Sequence, residues 1–149
     1  MTQIVALVTL LAVTAAIGAA WRTRQGRVRV TRPSAATVAA GGLGTGESPA
    51  GVWATRGVTL GERVTFLQLS AKVCAPCRAT ARVLGSLAAA EDGVTHHELD
   101  VDENLDLVSR LHVLTTPTVL VLDPDGVEVA RASGAMTAAQ AREALALCR

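Results

Sequence analysis

The sequence predicts an α/β domain, a central mixed sheet with helices on both faces, preceded by one apolar helix that crosses a membrane. Three observations carry this. From residue 64 onward, short apolar runs alternate with stretches of helical period, in the order β-α-β-α-β-β-α. The last two strands are joined by Asp123-Pro124-Asp125-Gly126, a tight-turn sequence. The first 21 residues carry no charged side chain.

The N-terminal segment reads MTQIVALVTLLAVTAAIGAAW. At ~1.5 Å per residue it spans about 31 Å as a helix, the thickness of a bilayer's hydrocarbon core. A secretory signal has a basic leader and a shorter apolar run. Here no Lys or Arg precedes the run, and Arg22, Arg24, Arg27, Arg29 and Arg32 follow it. Residues 1–21 are therefore expected to be an uncleaved single-pass anchor, with Trp21 at the interface and Arg22 and Arg24 among the headgroups. Positive charge favours the cytoplasmic face, which places the following domain there; the extracytoplasmic side is the alternative. Residues 22–51 read as linker, basic at first and then rich in Gly and Pro (Pro33, Gly41, Gly42, Gly44, Gly46, Pro49). As a flexible coil this length gives a mean reach of about 30 Å. The arginines can also bind anionic membrane lipid.

Residues 52–149 are expected to form the domain. Val52–Gly61 offers at most a short strand or hairpin. Val64–Leu69 suits a buried strand. Ala75–Ala90 carries Ala79, Val83 and Leu87 at helical spacing, with Leu84 and Ala88 beside them, and Asp92-Gly93 ends it. Val94–Val101 alternates. Asp102 can cap a helix from about Glu103 to His112. Thr118–Leu122 is another buried strand, and Val127–Ala132 returns as its hairpin partner. Thr137 and Gln140 make a capping box for a last helix to about Leu147. Strands alternating with helices imply parallel pairing, with the terminal hairpin adding an antiparallel edge.

Composition excludes several function classes. Net charge is +1, which weakens the case for a whole-chain nucleic-acid binder, and with aromatic residues at 2% any core is built from Ala, Val and Leu. No Gly-rich loop sits between strand and helix to hold a phosphate. Three cysteines are too few for a disulfide-stapled scaffold.

Cys74-Ala75-Pro76-Cys77 falls between the first buried strand and the first domain helix. The first cysteine meets the helix's unpaired N–H groups and the positive end of its dipole, where a thiolate is stabilised and becomes nucleophilic. Arg78 adds positive charge. Cys77, one turn inside, can attack a mixed disulfide formed by Cys74, and Pro76 suits the first helical turn. Two bland readings stand beside this: half of a zinc site, and a pair of inert buried cysteines. Zinc needs two further ligands, and neither Cys148 nor His96, His97 and His112 supplies a paired spacing, so no metal is expected.

The whole constellation resembles the thioredoxin family. Cys-Ala-Pro-Cys after a buried strand, Thr116-Pro117 43 residues after Cys74, and the closing hairpin and helix all match, over residues 62–149. The resemblance implies a thioredoxin-like fold and a redox-active Cys74–Cys77 disulfide with no other cofactor. It implies a cis proline at 117, beside the cysteines. The backbone of Thr116 would pair with substrate, Pro117 would shape the groove floor, and Gly134 would let substrate approach. The implied partners are disulfide-containing proteins and an upstream thiol reductant or reductase, not nucleic acid.

The chain also departs from the family pattern. Val73 replaces the usual Trp before the first Cys, so the substrate groove lacks its aromatic lip. Gln68 replaces the usual buried acid and cannot take a proton from Cys77. Glu98, where the family often has Lys, is the candidate for the displaced acid; the alternative is an ordinary solvated carboxylate.

The expected activity is reduction of protein disulfides: Cys74 attacks and Cys77 resolves. Ala-Pro between the cysteines resembles the family's reducing members. An oxidase or isomerase, an extracytoplasmic reductase of the cytochrome-maturation type, and a non-catalytic adaptor at the membrane are the alternatives.

Overall fold

The computed structural model describes residues 2–24, 28–30 and 48–148. The chain runs α1 (Thr2–Arg24), β1 (Val28–Val30), α2 (Pro49–Ala54), β2 (Val64–Ser70), α3 (Ala75–Ala90), β3 (Val94–Asp100), α4 (Leu105–Arg110), β4 (Thr118–Leu122), β5 (Glu128–Ser133) and α5 (Ala138–Ala146). In α1, Gln3–Ala20 is long and apolar enough to cross a membrane. The expected interface placement of the Trp21, Arg22 and Arg24 side chains, and the Gly/Pro-rich linker of residues 33–46, lie outside the described part.

Five strands form one sheet in the order β1-β5-β4-β2-β3. Only β2 and β3 pair in parallel; β4 is antiparallel to β2, β5 to β4 and β1 to β5. The alternation of strands and helices implied more parallel pairing than this. The reason is the length of α4. Its six residues rise only about 9 Å, too little to carry the chain back along β3. The chain therefore starts β4 at the edge where β3 finished, with Thr118 beside Leu69.

Two regions differ from expectation upstream. Val28–Val30 lies in the stretch read as linker, yet it pairs with Ala130–Ala132 as an edge strand. Val-Arg-Val has the period of two that a strand needs, and it covers the otherwise open edge of β5. The stretch read as a short strand or hairpin contains the end of α2 instead. Ser48 caps that helix through Gly51 N–H at 3.2 Å, and Pro49 occupies its first turn. The domain boundary expected at residue 52 thus runs through a helix.

Helices cover both faces of the sheet. On one, Phe66, Leu84, Val119, Val121, Met136 and Ala144 pack under α3 and α5. On the other, Trp53, Leu67, Leu107, Leu120 and Leu122 pack under α2 and α4. Trp53 Nε1–H donates to the carbonyl of Gly126 at 2.7 Å, so the buried indole is satisfied. Gly126 has φ +80°, and a Cβ there would lie 2.7 Å from Trp53 Cδ1. Along α3 the buried stripe is Cys77, Thr80, Leu84 and Leu87; Ala79 is exposed and Val83 only half-buried. The capping box of Thr137 and Gln140 forms as expected and starts α5. His112 follows α4 in the left-handed region at φ 50°.

Candidate active site

The site is built at the edge of the sheet where β2 ends and β4 begins. Cys74 is the N-cap of α3, in extended backbone, and its Sγ accepts the N–H of Cys77 at 3.1 Å. This satisfies one of the donors that a helix start leaves open. Cys74 and Cys77 are joined as a disulfide. Cys74 is 8% exposed and Cys77 1%. Of the two sulfurs' residues, Cys74 is therefore the one nearer solvent. Ala75, Pro76 and Arg78 are exposed around the helix start, and Val73 is 96% exposed. Arg78 N–H donates to the Cys74 carbonyl at 3.2 Å, the first bond of the helix ladder.

Beneath the disulfide lies a polar group. Gln68 is fully buried. Its Nε2 donates to Ser70 Oγ at 2.8 Å, to the Cys77 carbonyl at 3.0 Å and to Glu98 Oε1 at 3.2 Å. The parallel register that sets Gln68 opposite Glu98 brings this about. The structure thus joins the two residues singled out for the displaced acid to the backbone of Cys77. Ser70 was not anticipated, although the alternation Val64, Phe66, Gln68, Ser70 assigns it to the same face. Gln68 Oε1 and His96 Nε2 are both buried without a hydrogen-bond partner. Burial lowers the pKa of His96, with the field of Glu98 opposing.

The proline loop completes the edge. The Thr116–Pro117 bond is cis. Pro117 is buried and Thr116 half-buried. Gly134, with φ +94°, donates its N–H to the Pro117 carbonyl at 2.8 Å. A side chain at that φ would be strained, which accounts for a glycine there. Leu114, on the same loop, is 94% exposed and was not anticipated; with Val73 it gives the edge an aliphatic surface. Lys72 pairs with Glu103 at 3.3 Å and Asp100 at 3.9 Å. The hydrogen bond to Glu103, then the fields of Asp100 and Glu103, raise its pKa.

The remaining candidates stay apart from this group. Cys148 is a free, half-buried thiol packed against the core under α5, and burial raises its pKa. Among the described residues no three His, Cys, Asp or Glu gather as a metal site.

Known proteins resemble the chain in sequence and fold. The family described as Thioredoxin matches residues 56–146. Thioredoxin-1 of Caenorhabditis elegans is 36% identical over 59 residues, 40% of this chain and 51% of that protein. The chain thus spans about half the length of that curated relative. Two solved structures are similar in fold and sequence. Chloroplastic thioredoxin z is 32% identical with a TM-score of 0.52, over 57% of this chain and 77% of that one. Fasciola hepatica thioredoxin is 30% identical with a TM-score of 0.53, over 60% of this chain and 84% of that one. With more than half of its length matched by the family, with Cys74 of a disulfide pair capping α3 and with a cis Thr116–Pro117 bond, the chain belongs to the thioredoxin family.

Proposed function

We propose that the protein is a membrane-tethered thiol–disulfide oxidoreductase that reduces protein disulfides, with its domain on the cytoplasmic side. The observation that carries this is the Cys74–Cys77 disulfide at the start of α3, with Cys74 Sγ accepting a helix N–H. A donor that holds the sulfur in the disulfide also holds a thiolate. The reaction starts from the dithiol. The Cys74 thiolate attacks one sulfur of a substrate disulfide; that S–S bond breaks, and the other substrate sulfur leaves as a thiolate and is protonated. Cys77, deprotonated, then attacks Cys74 Sγ. The mixed disulfide breaks, the second substrate thiol is released, and Cys74–Cys77 is oxidised. A dithiol reductant returns two electrons and two protons.

Gln68 and Glu98 act on the second step. Gln68 Nε2 donates both to the Cys77 carbonyl and to Glu98, which supports Glu98 as the carboxylate nearest the resolving cysteine. The proton leaving Cys77 would reach it through solvent, since Gln68 offers no acceptor for it on that route. Val73, Thr116, Pro117 and Gly134 form the substrate side, with the backbone of Thr116 available to an extended segment. Residues 3–20 support the membrane anchor by length and apolarity. The arginines after α1 support the cytoplasmic side.

Insulin reduction by the full chain in lipid nanodiscs, with dithiothreitol as electron source, tests the activity. The wild type should accelerate it. Cys74→Ser should abolish the acceleration, and Cys77→Ser should accumulate a mixed disulfide on Cys74. Equal activity in the wild type and Cys74→Ser would overturn the proposal.

A further inference from the structure

We infer that the disulfide faces the membrane surface, and that its substrates are disulfides held close to that surface in membrane-anchored proteins. The inference rests on the anchoring and activity proposed above, and it follows from where the chain joins the sheet. α1 ends at Arg24 and β1 begins at Val28. Three residues separate them. From Arg24 to Val28 the chain reaches at most ~14 Å even when extended. The tether is therefore short, because β1 is already part of the domain.

Val28 meets the sheet at the active-site edge. It lies opposite Ala132, Ala132 opposite Val119, Val119 opposite Gln68, and Gln68 opposite Glu98. This single row crosses the sheet from the tether to the group beneath Cys77. Beyond the row, away from the sheet's centre, lie Ser70, the disulfide loop, the proline loop and Gly134. β1 then runs away from that edge, since Val30 lies opposite Ala130. The opposite edge holds the Asp123–Gly126 turn. β5, at six residues, separates the two edges by about 20 Å. Turning the domain over would lift Val28 by that distance, more than the ~14 Å link can reach. Sideways, β1 and β2 are three strand spacings apart in the sheet order, about 14 Å. The disulfide thus sits beside the point where the anchor leaves the bilayer. The exposed Val73 and Leu114 stand on the same edge.

Depth measurement in vesicles tests this. The full chain, with Cys74→Ser, Cys77→Ser and Cys148→Ser, carries a fluorophore at either Ser133→Cys or Asp125→Cys. Both positions are exposed, and they bracket β5. Vesicles of phosphatidylcholine and phosphatidylglycerol contain a headgroup-attached quencher. The label at 133 should be quenched several-fold more than the label at 125. Equal or reversed quenching, with the protein floating with the vesicles, overturns the inference and leaves the anchor standing. Protein that does not float overturns both.

The substrate class is tested with wild-type protein and one disulfide peptide, either soluble or lipid-anchored on the same vesicles. The anchored peptide should be reduced roughly tenfold faster or more, through its higher effective concentration at the site. Twelve Gly/Ser residues inserted between Arg24 and Val28 should lower that advantage several-fold while leaving the soluble rate unchanged. An advantage that the insertion leaves undiminished overturns the close-facing geometry. Reduction of neither peptide overturns the activity and the substrate class, while the quenching result still decides the geometry.

Discussion

Replacing Thr80 by valine isolates one buried hydrogen bond that ties the active-site helix to the chain after β5. Thr80 is buried on the sheet side of α3, and its Oγ1 accepts the N–H of buried Met136 at 3.1 Å. Valine has nearly the same shape and no acceptor, so that N–H remains buried and unpaired. The cost is about 1–3 kcal/mol. Thr80→Ser keeps the acceptor and loses one methyl, about 0.8 kcal/mol. Stability should therefore fall in the order Thr, Ser, Val, the reverse of what hydrophobicity alone predicts for the last two. For a domain of this size each kcal/mol lowers Tm by about 4–8 °C, so the valine variant should melt roughly 4–24 °C below wild type. The assay is thermal and urea unfolding of the detergent-solubilised full chain, followed by Trp53 fluorescence in a Trp21→Phe background. Trp53 is then the sole tryptophan. A valine variant as stable as wild type, or more stable than the serine variant, refutes the assignment of this hydrogen bond as a net stabiliser.

Three further outcomes are expected. Glu98→Gln should slow release of substrate from the Cys74 mixed disulfide by roughly 10–100-fold near neutral pH, the lower end of what a positioned base supplies. The rate profile should also shift to higher pH, and an unchanged profile would reduce Glu98 to a solvated strand residue. His96 is half-buried, and burial holds its pKa below the ordinary 6.5. Its contribution is complete above the unfolded-state pKa and is lost as pH falls below it. Urea midpoints measured downward from neutral pH should therefore drop more steeply in wild type than in His96→Leu. In a Cys148→Ser background, intact cells treated with an impermeant reductant and then an impermeant maleimide should show Cys74 labelled only after lysis. Labelling of intact cells would move the domain to the outer side.

The sequence made the chemistry of the site legible before its contacts. Cys-Ala-Pro-Cys after an apolar strand locates a thiol at a helix start, and the structure has Cys74 as that cap. Gln68 and Glu98 were visible as departures from a pattern. Their hydrogen bonds depend on the β2–β3 register, a long-range pairing that local periodicity does not specify. Strand direction failed for a similar reason. Alternation implies a crossover, and only the shortness of α4 shows that the crossover is incomplete. Val28–Val30 was hidden because three residues among arginines carry little pattern, and the edge that recruits them is made a hundred residues later. The helix stripe on α3 turned because Cys77 and the polar Thr80 take the buried face while Ala79 faces water. Exposed Leu114 gave no signal, since one leucine between loop and strand reads as core.

The pairing of β1 with β5 also has a consequence for biosynthesis. β1 emerges from the ribosome directly behind α1, and its partner follows about a hundred residues later. At ~5–20 residues per second, that leaves β1 without β5 for about 5–20 s. With α1 as the proposed anchor, that interval would let it enter the bilayer first, and β5 would then gain its edge partner beside the membrane. For a membrane-anchored chain, translation order would thus put insertion before completion of the fold. A chain whose anchor is delayed would finish the same sheet in the wrong place, and its apolar helix would be left in water.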